Sequence, residues 1–388
     1  MKDRAGGGPV GAPATPHAHG PSTTVDFAEP VPRRVFALQP REHVSEINIV
    51  DLFAGPGGLD IAAVKLGLSV TGIEKDANAC ATRAANGLIT WQGDVRGYAP
   101  REFSGGTRVL TGGPPCQTYT VAGSGVGRHA LDDVLRCVDL MAAGKQLSSS
   151  ELDELGDERT GLVLEPLKWV LQALKDGDPY TAIVLEQVPA VLPVWQAYRE
   201  VLADIGYEVK CGVLRAEQYG VPQTRRRAIL VARLHGKVEL PAPTHRSYRK
   251  GVPRNEGDPG LKPWVSMSDV LTERDTPYVV VSNYGSGGDP KARGRRRHDQ
   301  PAATVTGKVS RNRVVGPGGR EGRFTNEEAG MLQTFPADFK WSGSDVAQQI
   351  GNAIPPVLAA HVLSAALELG RERLADAVKS LSGGTITV

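Results

Sequence analysis

The segment from Ile47 to Glu74 constrains the fold more than any other part of the chain. Ile47-Asn48-Ile49-Val50-Asp51-Leu52-Phe53 reads as a short apolar strand that runs directly into Ala54-Gly55-Pro56-Gly57-Gly58. A helical pattern from Leu59 to Leu66 follows and is closed by Gly67, and Ser69 to Ile73 is a second strand ending in Glu74. Strand, glycine turn, helix and strand make a β-α-β unit, whose crossover requires parallel strands covered by helix. The glycine turn then sits at the carboxyl end of the first strand, where such sheets bind ligands.

The alternation continues downstream. Arg108 to Thr111 reads as a strand before Gly112-Gly113-Pro114-Pro115-Cys116, Glu165 to Lys175 as a helix, and Tyr180 to Leu185 as a strand ending in Glu186. Val194 to Ile205 is helical and Ala228 to Arg233 is another strand. The fold class is therefore α/β, a doubly wound, mostly parallel, Rossmann-like sheet with helices on both faces. From about His235 the pattern breaks into short strands, prolines and glycines, and regular helix returns at Pro355, where a first-turn proline is tolerated. Residues 1–45, rich in Gly, Pro, Ala and Thr, have no periodicity and read as a disordered tail. His129 to Asp157 reads as an irregular insertion.

With 388 residues, 40% of them hydrophobic, the chain can bury one large domain and a smaller partner. Net charge is only +2, but it is unevenly spread. Between Arg233 and Thr325 there are 18 Lys/Arg against 9 Asp/Glu, so the rest of the chain is net acidic. That division fits a polyanion-binding part joined to an acidic body, or an arginine-rich solvated loop region. Cys80, Cys116, Cys137 and Cys211 form no C-x-x-C pair, which leaves neither a zinc site nor a disulfide framework to read and fits a reducing, cytoplasmic setting. No stretch is apolar for long enough to suggest a signal peptide or a bilayer span.

Four constellations carry chemistry. The glycine turn with Glu74, 17 residues past Gly57, is how α/β folds hold a nucleoside: glycines admit the ligand to the backbone and the acid takes ribose hydroxyls. Gly55-Pro56-Gly57-Gly58 is not the dinucleotide fingerprint, however, and tight turns use the same residues. Asp94 falls at the end of a third strand, as an acceptor for an adenine amino group or as a turn or cap residue. Gly113-Pro114-Pro115-Cys116-Gln117 puts a thiol on a stiff, non-helical loop suited to a nucleophile. Glu186-Gln187-Val188 ends a strand, where a carboxyl can bind cytosine N3 and its exocyclic amine or serve only as a surface glutamate. Gln223-Thr224-Arg225-Arg226-Arg227 enters a strand, and alternation puts Arg225 and Arg227 on one face, either to hold a base and an anion or as a basic strand entrance.

These blocks, with Gln218-Tyr219-Gly220-Val221-Pro222 before the arginines, Leu332-Gln333-Thr334-Phe335-Pro336 and Gln349-Ile350-Gly351-Asn352-Ala353-Ile354-Pro355-Pro356, resemble in order the motifs of bacterial DNA cytosine-5 methyltransferases over residues 47–370. The resemblance implies S-adenosylmethionine as cofactor, held by Phe53, Gly55, Gly57, Gly58, Glu74, Asp94, Pro114 and Asn352, with no metal. It implies catalysis by Cys116, Glu186, Arg225 and Arg227 on a cytosine flipped out of double-stranded DNA. It also implies a discontinuous catalytic domain, residues 46–235 plus 341–378, around a target-recognition domain at 236–340, which agrees with the charge count. The enzyme would be a monomer, with a cognate restriction endonuclease, if it has one, acting separately.

Three departures stand out. Gln187 replaces the family's usual asparagine, Thr118-Tyr119-Thr120 replaces a Ser-Phe-Ser type of sequence, and the 129–157 insertion lengthens the path from nucleophile to Glu186. Gly123, Gly125 and Gly127 suit a mobile closing loop over 118–128 or, equally, a slack surface loop. The Cys-Phe-Thr of transfer RNA cytosine methyltransferases is absent, and keeping Cys116, Glu186 and Arg227 together argues against a DNA-binding protein without catalysis.

Overall fold

In the computed structural model the described residues are 35–36, 47–103, 107–115, 125–148, 151, 155, 158–283 and 293–382. Strands β1 (Val35–Phe36), β2 (Ile47–Leu52), β3 (Ser69–Glu74), β4 (Thr90–Gln92), β5 (Thr107–Gly112), β6 (Ala182–Gln187), β7 (Glu208–Arg215) and β9 (Arg226–Arg233) build an eight-stranded sheet. Their order is β1-β4-β3-β2-β5-β6-β9-β7. The neighbours from β4 to β6 run parallel, as crossover connections dictate. The chain winds one way from β2 to β4 and the other way from β5, so β2 and β5 flank the switch point at which such sheets open a ligand crevice.

Helices cover both faces. Helices α1 (Gly58–Lys65), α7 (Pro356–Leu367) and α8 (Arg371–Leu381) pack on one, with Leu59, Ala62, Leu358 and Leu363 buried against Ile49 and Val109. Helices α3 (Gly125–Ala142), α4 (Glu165–Lys175) and α5 (Leu192–Asp204) cover the other through Val134, Val138, Trp169 and Trp195. Helix α2 (Ala77–Ala85) joins β3 to β4, capped by the Asp76 side chain.

Several expectations change. The sheet is mixed: β9 is antiparallel to both β6 and β7, and β7 closes an edge that was not anticipated. Within the expected tail, Val35 and Phe36 pair antiparallel with Trp91 and Thr90; the other residues before Ile47 lie outside the described residues. The front half of the supposed insertion is α3, whose residues Ala130, Val134, Cys137, Val138 and Met141 recur at helical spacing and are all buried. Gly125 and Gly127, read as loop, lie in its first turn, while 116–124 lie outside the described residues. Helix also returns earlier than Pro355, with α6 (Val346–Asn352) and a turn over Asn326–Leu332 that opens on a Thr325–Glu328 capping box. The segment Val346–Leu367 has the length and apolarity of a membrane span, but 83% of that window is buried in the core.

Between β9 and α6 the chain builds a second, smaller sheet. Its strands β10 (Val279–Val281), β11 (Arg295–Arg297), β13 (Arg313–Val315) and β14 (Glu321–Gly322) lie in the order β11-β10-β13-β14. Met267, Tyr278, Val280, Val314, Phe324 and Leu332 form its core. It is tied to the large sheet where β12 (Ala302–Ala303) runs parallel to β8 (Gln223–Thr224).

Candidate active site

The carboxyl edge of the large sheet opens on a cavity of about 900 Å³, at the upper end of the roughly 300–1,000 Å³ usual for small-molecule sites. Its lining follows strand order: Asp94 past β4, Glu74 ending β3, Phe53 past β2, Pro114 past β5, Glu186 in β6 and Arg227 in β9. Glu74 and Glu186 are three strands apart, so at about 4.8 Å per strand their backbones stand roughly 14 Å apart. The cavity thus has two halves with an acid in each.

In the first half, the turn is strained around Glu74. Phe53 adopts φ 60 and Gly55 φ 55, in the left-handed region where a non-glycine residue such as Phe53 is costly. The strain is offset by hydrogen bonds: Gly55 N–H donates to Glu74 Oε2 at 2.7 Å and Asp76 N–H to Oε1 at 2.7 Å. Burial raises the Glu74 pKa, against the lowering effect of these two donors. A Cβ added at Gly55 would meet nothing within 4 Å, so the backbone is open to a ligand there. Gly57 is different: it does not line the cavity, and at φ 101 its Cβ would strike Leu88 at 2.3 Å, so it serves the turn alone. Gly58 lines the cavity but chiefly admits the last motif, since its Cβ would lie 2.3 Å from Ile354 O. Asp94 lines the cavity and is also a cap residue. It caps the 3₁₀ turn at Val95 through Arg96 N–H, and its side chain accepts from Arg96 Nη2 at 2.7 Å and Lys75 Nζ at 3.0 Å, which holds its pKa low.

Beneath the turn lies a charged network that the sequence did not announce. Arg83 and Asp60, both fully buried, form a bidentate pair at 2.6 and 2.9 Å, and Arg83 Nε donates to Thr90 Oγ1 at 2.8 Å. Asp51, buried beside them and bonded by Thr111 Oγ1 at 2.6 Å, has its pKa pushed well up by burial and by Asp60. Breaking one member strands a buried charge, so the network fixes the floor of the turn.

In the second half, Arg227 Nε lies 2.5 Å from Glu186 Oε1, both side chains nearly buried. The contact is an ion pair but lies off the hydrogen-bond direction, and Glu186 Oε1 has no hydrogen-bond partner among the described residues. Gly113 sits against the same carboxyl, and a Cβ there would lie 3.5 Å from Glu186 Oε2. Gln187 reaches back across the site: its Nε2 donates to Pro114 O and its Oε1 accepts from Val188 N–H. The longer amide therefore braces the loop that leads to Cys116. Cys116 itself lies outside the described residues; Pro114 and Pro115, which precede it, line the cavity.

The chain fits the C-5 cytosine-specific DNA methylase family over residues 47–135, 153–258 and 255–368. This chain belongs to that family. It is a DNA cytosine-5 methyltransferase. It is 27% identical to the type II methyltransferase M1.HphI of Haemophilus parahaemolyticus, covering 83% of this chain and 87% of that one. It is 28% identical to M.PspPI of a Psychrobacter species, covering 83% and 79%. Solved structures share the fold: a methyltransferase of Entamoeba histolytica (14% identity, TM-score 0.56, 84% of this chain and 98% of that one) and the S. pombe Dnmt2 methyltransferase (17%, 0.53, 83% and 98%).

The family match pauses between 135 and 153, so the unmatched stretch of this methylase comprises the back half of α3 and the residues just after that helix. Arg225 departs from the expected arginine pair. It does not line the cavity: fully buried, it donates to Val305 O (2.8 Å), Gly351 O (2.9 Å) and Ala353 O (3.0 Å), and burial pushes its pKa down. Alternation fails because Arg225 lies between β8 and β9 and continues neither strand. Gln223, also fully buried, joins it by donating to Leu332 O at 2.7 Å and accepting from Val305 N–H at 3.0 Å. Together they bolt the large sheet to the 302–306 strap and to the last motif. Asn352 lines the cavity and accepts from Gln348 Nε2 at 2.7 Å. Thr306, Gly307 and Gln348 also line it and were missed; the signal was a pair of glycines, since a Cβ on Gly351 would strike Gly307 N at 2.0 Å.

Proposed function

We propose that this methylase takes S-adenosylmethionine at the Glu74 end of the cavity and a cytosine flipped out of double-stranded DNA at the Glu186 end, and methylates C5 within one short sequence. The observation that carries this is a single cavity holding the Glu186–Arg227 pair, the Pro114–Pro115 approach to Cys116 and the backbone-bonded Glu74. When bound, S-adenosylmethionine supplies an electrophilic methyl group. The first half suits its nucleoside: each Glu74 oxygen keeps a lone pair for a ribose hydroxyl, Phe53 offers an aromatic face, Asp94 faces the amino group, and Gly55, Gly58, Pro114 and Asn352 shape the walls.

In the second half, Glu186 bonds cytosine N3 and the exocyclic amine, and a proton shared with N3 makes C6 electrophilic. Arg227 holds that carboxyl and reaches O2. The Cys116 thiolate adds to C6 and moves electron density to C5; methylation there would break the sulfonium S–CH3 bond and leave the cofactor as its thioether, after which loss of the C5 proton to solvent expels the thiolate and restores the ring. Arg225 is a positioning residue that keeps the strap and the last motif in place. The basic segment at 236–340 acts as the target-recognition domain, and 46–235 with 341–378 as the catalytic domain. The relatives' type II names support a modification role beside a separate restriction endonuclease. The enzyme acts as a monomer. Bisulfite sequencing of plasmid from a methylation-free host tests this. Protection of one short context by the wild type and not by Cys116→Ser is expected; no protected context, with soluble cofactor-binding protein, would refute it.

A further inference from the structure

A ladder of hydrogen bonds joins α2 to the chain just before α6, between residues 254 to 266 positions apart in sequence. Asn78 and Thr82 lie about one turn apart in α2 and Asn86 caps its C-terminus, so at four-residue spacing all three share one face. Asn86 Nδ2 donates to Lys340 O at 2.8 Å, and Asn86 Oδ1 accepts from Lys340 N–H at 2.9 Å. The Thr82 hydroxyl donates to Ser342 O at 3.0 Å and accepts from Ser342 N–H at 2.9 Å. Asn78 Oδ1 accepts from Ser344 N–H at 2.9 Å. Four residues of helix rise about 6 Å and two residues of extended chain about 6.6 Å, so every fourth helical side chain meets every second peptide and three rungs fit in register. The side chains of a helix thus take the place of a neighbouring strand. Gly343 completes the fit: it adopts φ 83, and a Cβ there would lie 2.6 Å from Asn78 Cβ.

The two sides of the ladder lead to two walls of the Glu74 half of the cavity. Helix α2 opens at Asp76, whose backbone N–H donates to Glu74 Oε1, so Glu74 and the helix that carries the rungs form one body. Across the ladder, Ser342 O also accepts from Gln349 Nε2 at 2.8 Å. Gln349 belongs to α6, which places Gln348 and Asn352 in the cavity wall. Both lone pairs of Ser342 O are therefore engaged, one by each helix. Arg225 fixes the other end of α6 through Gly351 O. Thr82 is fully buried, so water does not compete for the central rung.

We propose that Asn78, Thr82 and Asn86 are positioning residues for the cofactor, which keep the Asn352 wall of its half of the cavity at a fixed distance from Glu74. The proposal rests on the function given above, since it takes S-adenosylmethionine to lie between those walls. None of the three lines the cavity, so they act through α6. Without the ladder α6 is held at its C-terminal end alone, and the Gln348–Asn352 wall drifts from a nucleoside bound at Glu74. Glu186, Arg227 and the Pro114–Pro115 approach stand on or past β5, β6 and β9, on the other side of the switch point, so the chemical step at saturating cofactor does not depend on the ladder.

S-adenosylhomocysteine, the demethylated thioether, is the probe. Its Kd for the full chain is measured by calorimetry, and methyl transfer from S-adenosylmethionine supplies KM and kcat. A wild type that binds no S-adenosylhomocysteine would overturn the parent reading and this proposal with it; the outcomes that follow bear on this proposal alone. Thr82→Val removes the central rung with little change of shape. It raises the Kd and the cofactor KM about tenfold, as loss of two hydrogen bonds implies, with kcat and DNA Kd within about twofold of wild type. Thr82→Ser, which keeps the hydroxyl, stays within about twofold throughout. Asn86→Ala, at the half-buried end of the ladder, raises the Kd about threefold and decides the matter should Thr82→Val fail to fold. Tyr207→Phe is the control for stability: it removes a buried hydrogen bond to Tyr180 O at the amino edge of the sheet, lowers the denaturation midpoint and leaves the Kd unchanged. A Kd within twofold of wild type in folded Thr82→Val, or an unchanged Kd in Asn86→Ala if that variant alone folds, overturns the proposal. So does an equal rise in Kd in Tyr207→Phe, or a fall in kcat without a change in Kd.

Discussion

Replacing Gln187 with alanine removes one side chain that makes two hydrogen bonds, to Pro114 O and from Val188 N–H. Both backbone groups are half-buried, so the deletion costs about 1 kcal/mol each, or about 2 kcal/mol together. Cys116 follows Pro114 by two residues, so the loss falls on the placement of the nucleophile. If all of it is expressed at the transition state, kcat falls roughly 30-fold. Among the described residues the Gln187 side chain bonds neither Glu74 nor the basic segment, so cofactor Kd and DNA Kd stay within about twofold of wild type. Single-turnover transfer of tritiated methyl groups, alongside calorimetric cofactor titration, measures both. Gln187→Asn, which keeps the amide on a shorter stem, restores part of the rate. A Gln187→Ala rate within threefold of wild type, or an equal loss of cofactor affinity, would refute the bracing role.

Cys116→Ser abolishes methyl transfer and leaves DNA affinity largely intact in gel-shift titration; residual turnover would remove Cys116 from its role. Glu74→Ala weakens S-adenosylmethionine binding by tenfold or more, as loss of hydrogen bonds to a charged group implies, with little change in DNA binding. Because burial raises the Glu74 pKa, its carboxylate is lost at a higher pH than an ordinary glutamate's as the solution is acidified. Wild-type cofactor affinity accordingly falls as pH drops through that raised pKa, and a Glu74→Gln variant shows a flatter profile. Arg225→Met leaves the carbonyls of Val305 and Gly351 without their side-chain donor, while Ala353 O keeps the Gln333 amide, and lowers the denaturation midpoint by the equivalent of about 2 kcal/mol; an unchanged midpoint would show that the bolt is dispensable.

The legible parts of this protein are the local ones. The glycine turn, Glu74 and Glu186 sit at strand ends whose apolar runs are continuous in sequence, and the carboxyl edge collects them without further information. Sheet partners are a different matter. Nothing near Ala228 says whether β9 runs with or against β6, because the direction is set by β7, a strand with half-buried, mixed residues and a weak period. Helix α3 was readable in its apolar spacing, but two glycines in its first turn outweighed that signal. The parting of Arg225 from Arg227 was not readable at all. Both are arginines two apart, and only the carbonyls of strap and last motif, about 80 and 126 residues away, decide where Arg225 goes.

The close approach of Gly58 to Ile354 has a consequence for how the molecule comes into being. The turn that opens the fold is synthesised early, and although α1 can pack on β2 and β3 at once, the side of it that meets α7 stays uncovered until α7 emerges some 300 residues later. At about 5–20 residues per second that interval lasts on the order of half a minute. Through it the nascent chain presents a sticky helix and half a cavity. Any product that stops short of α7 keeps that surface exposed, so incomplete chains carry the mark by which cellular quality control removes them, and only chains that reach α7 hide it.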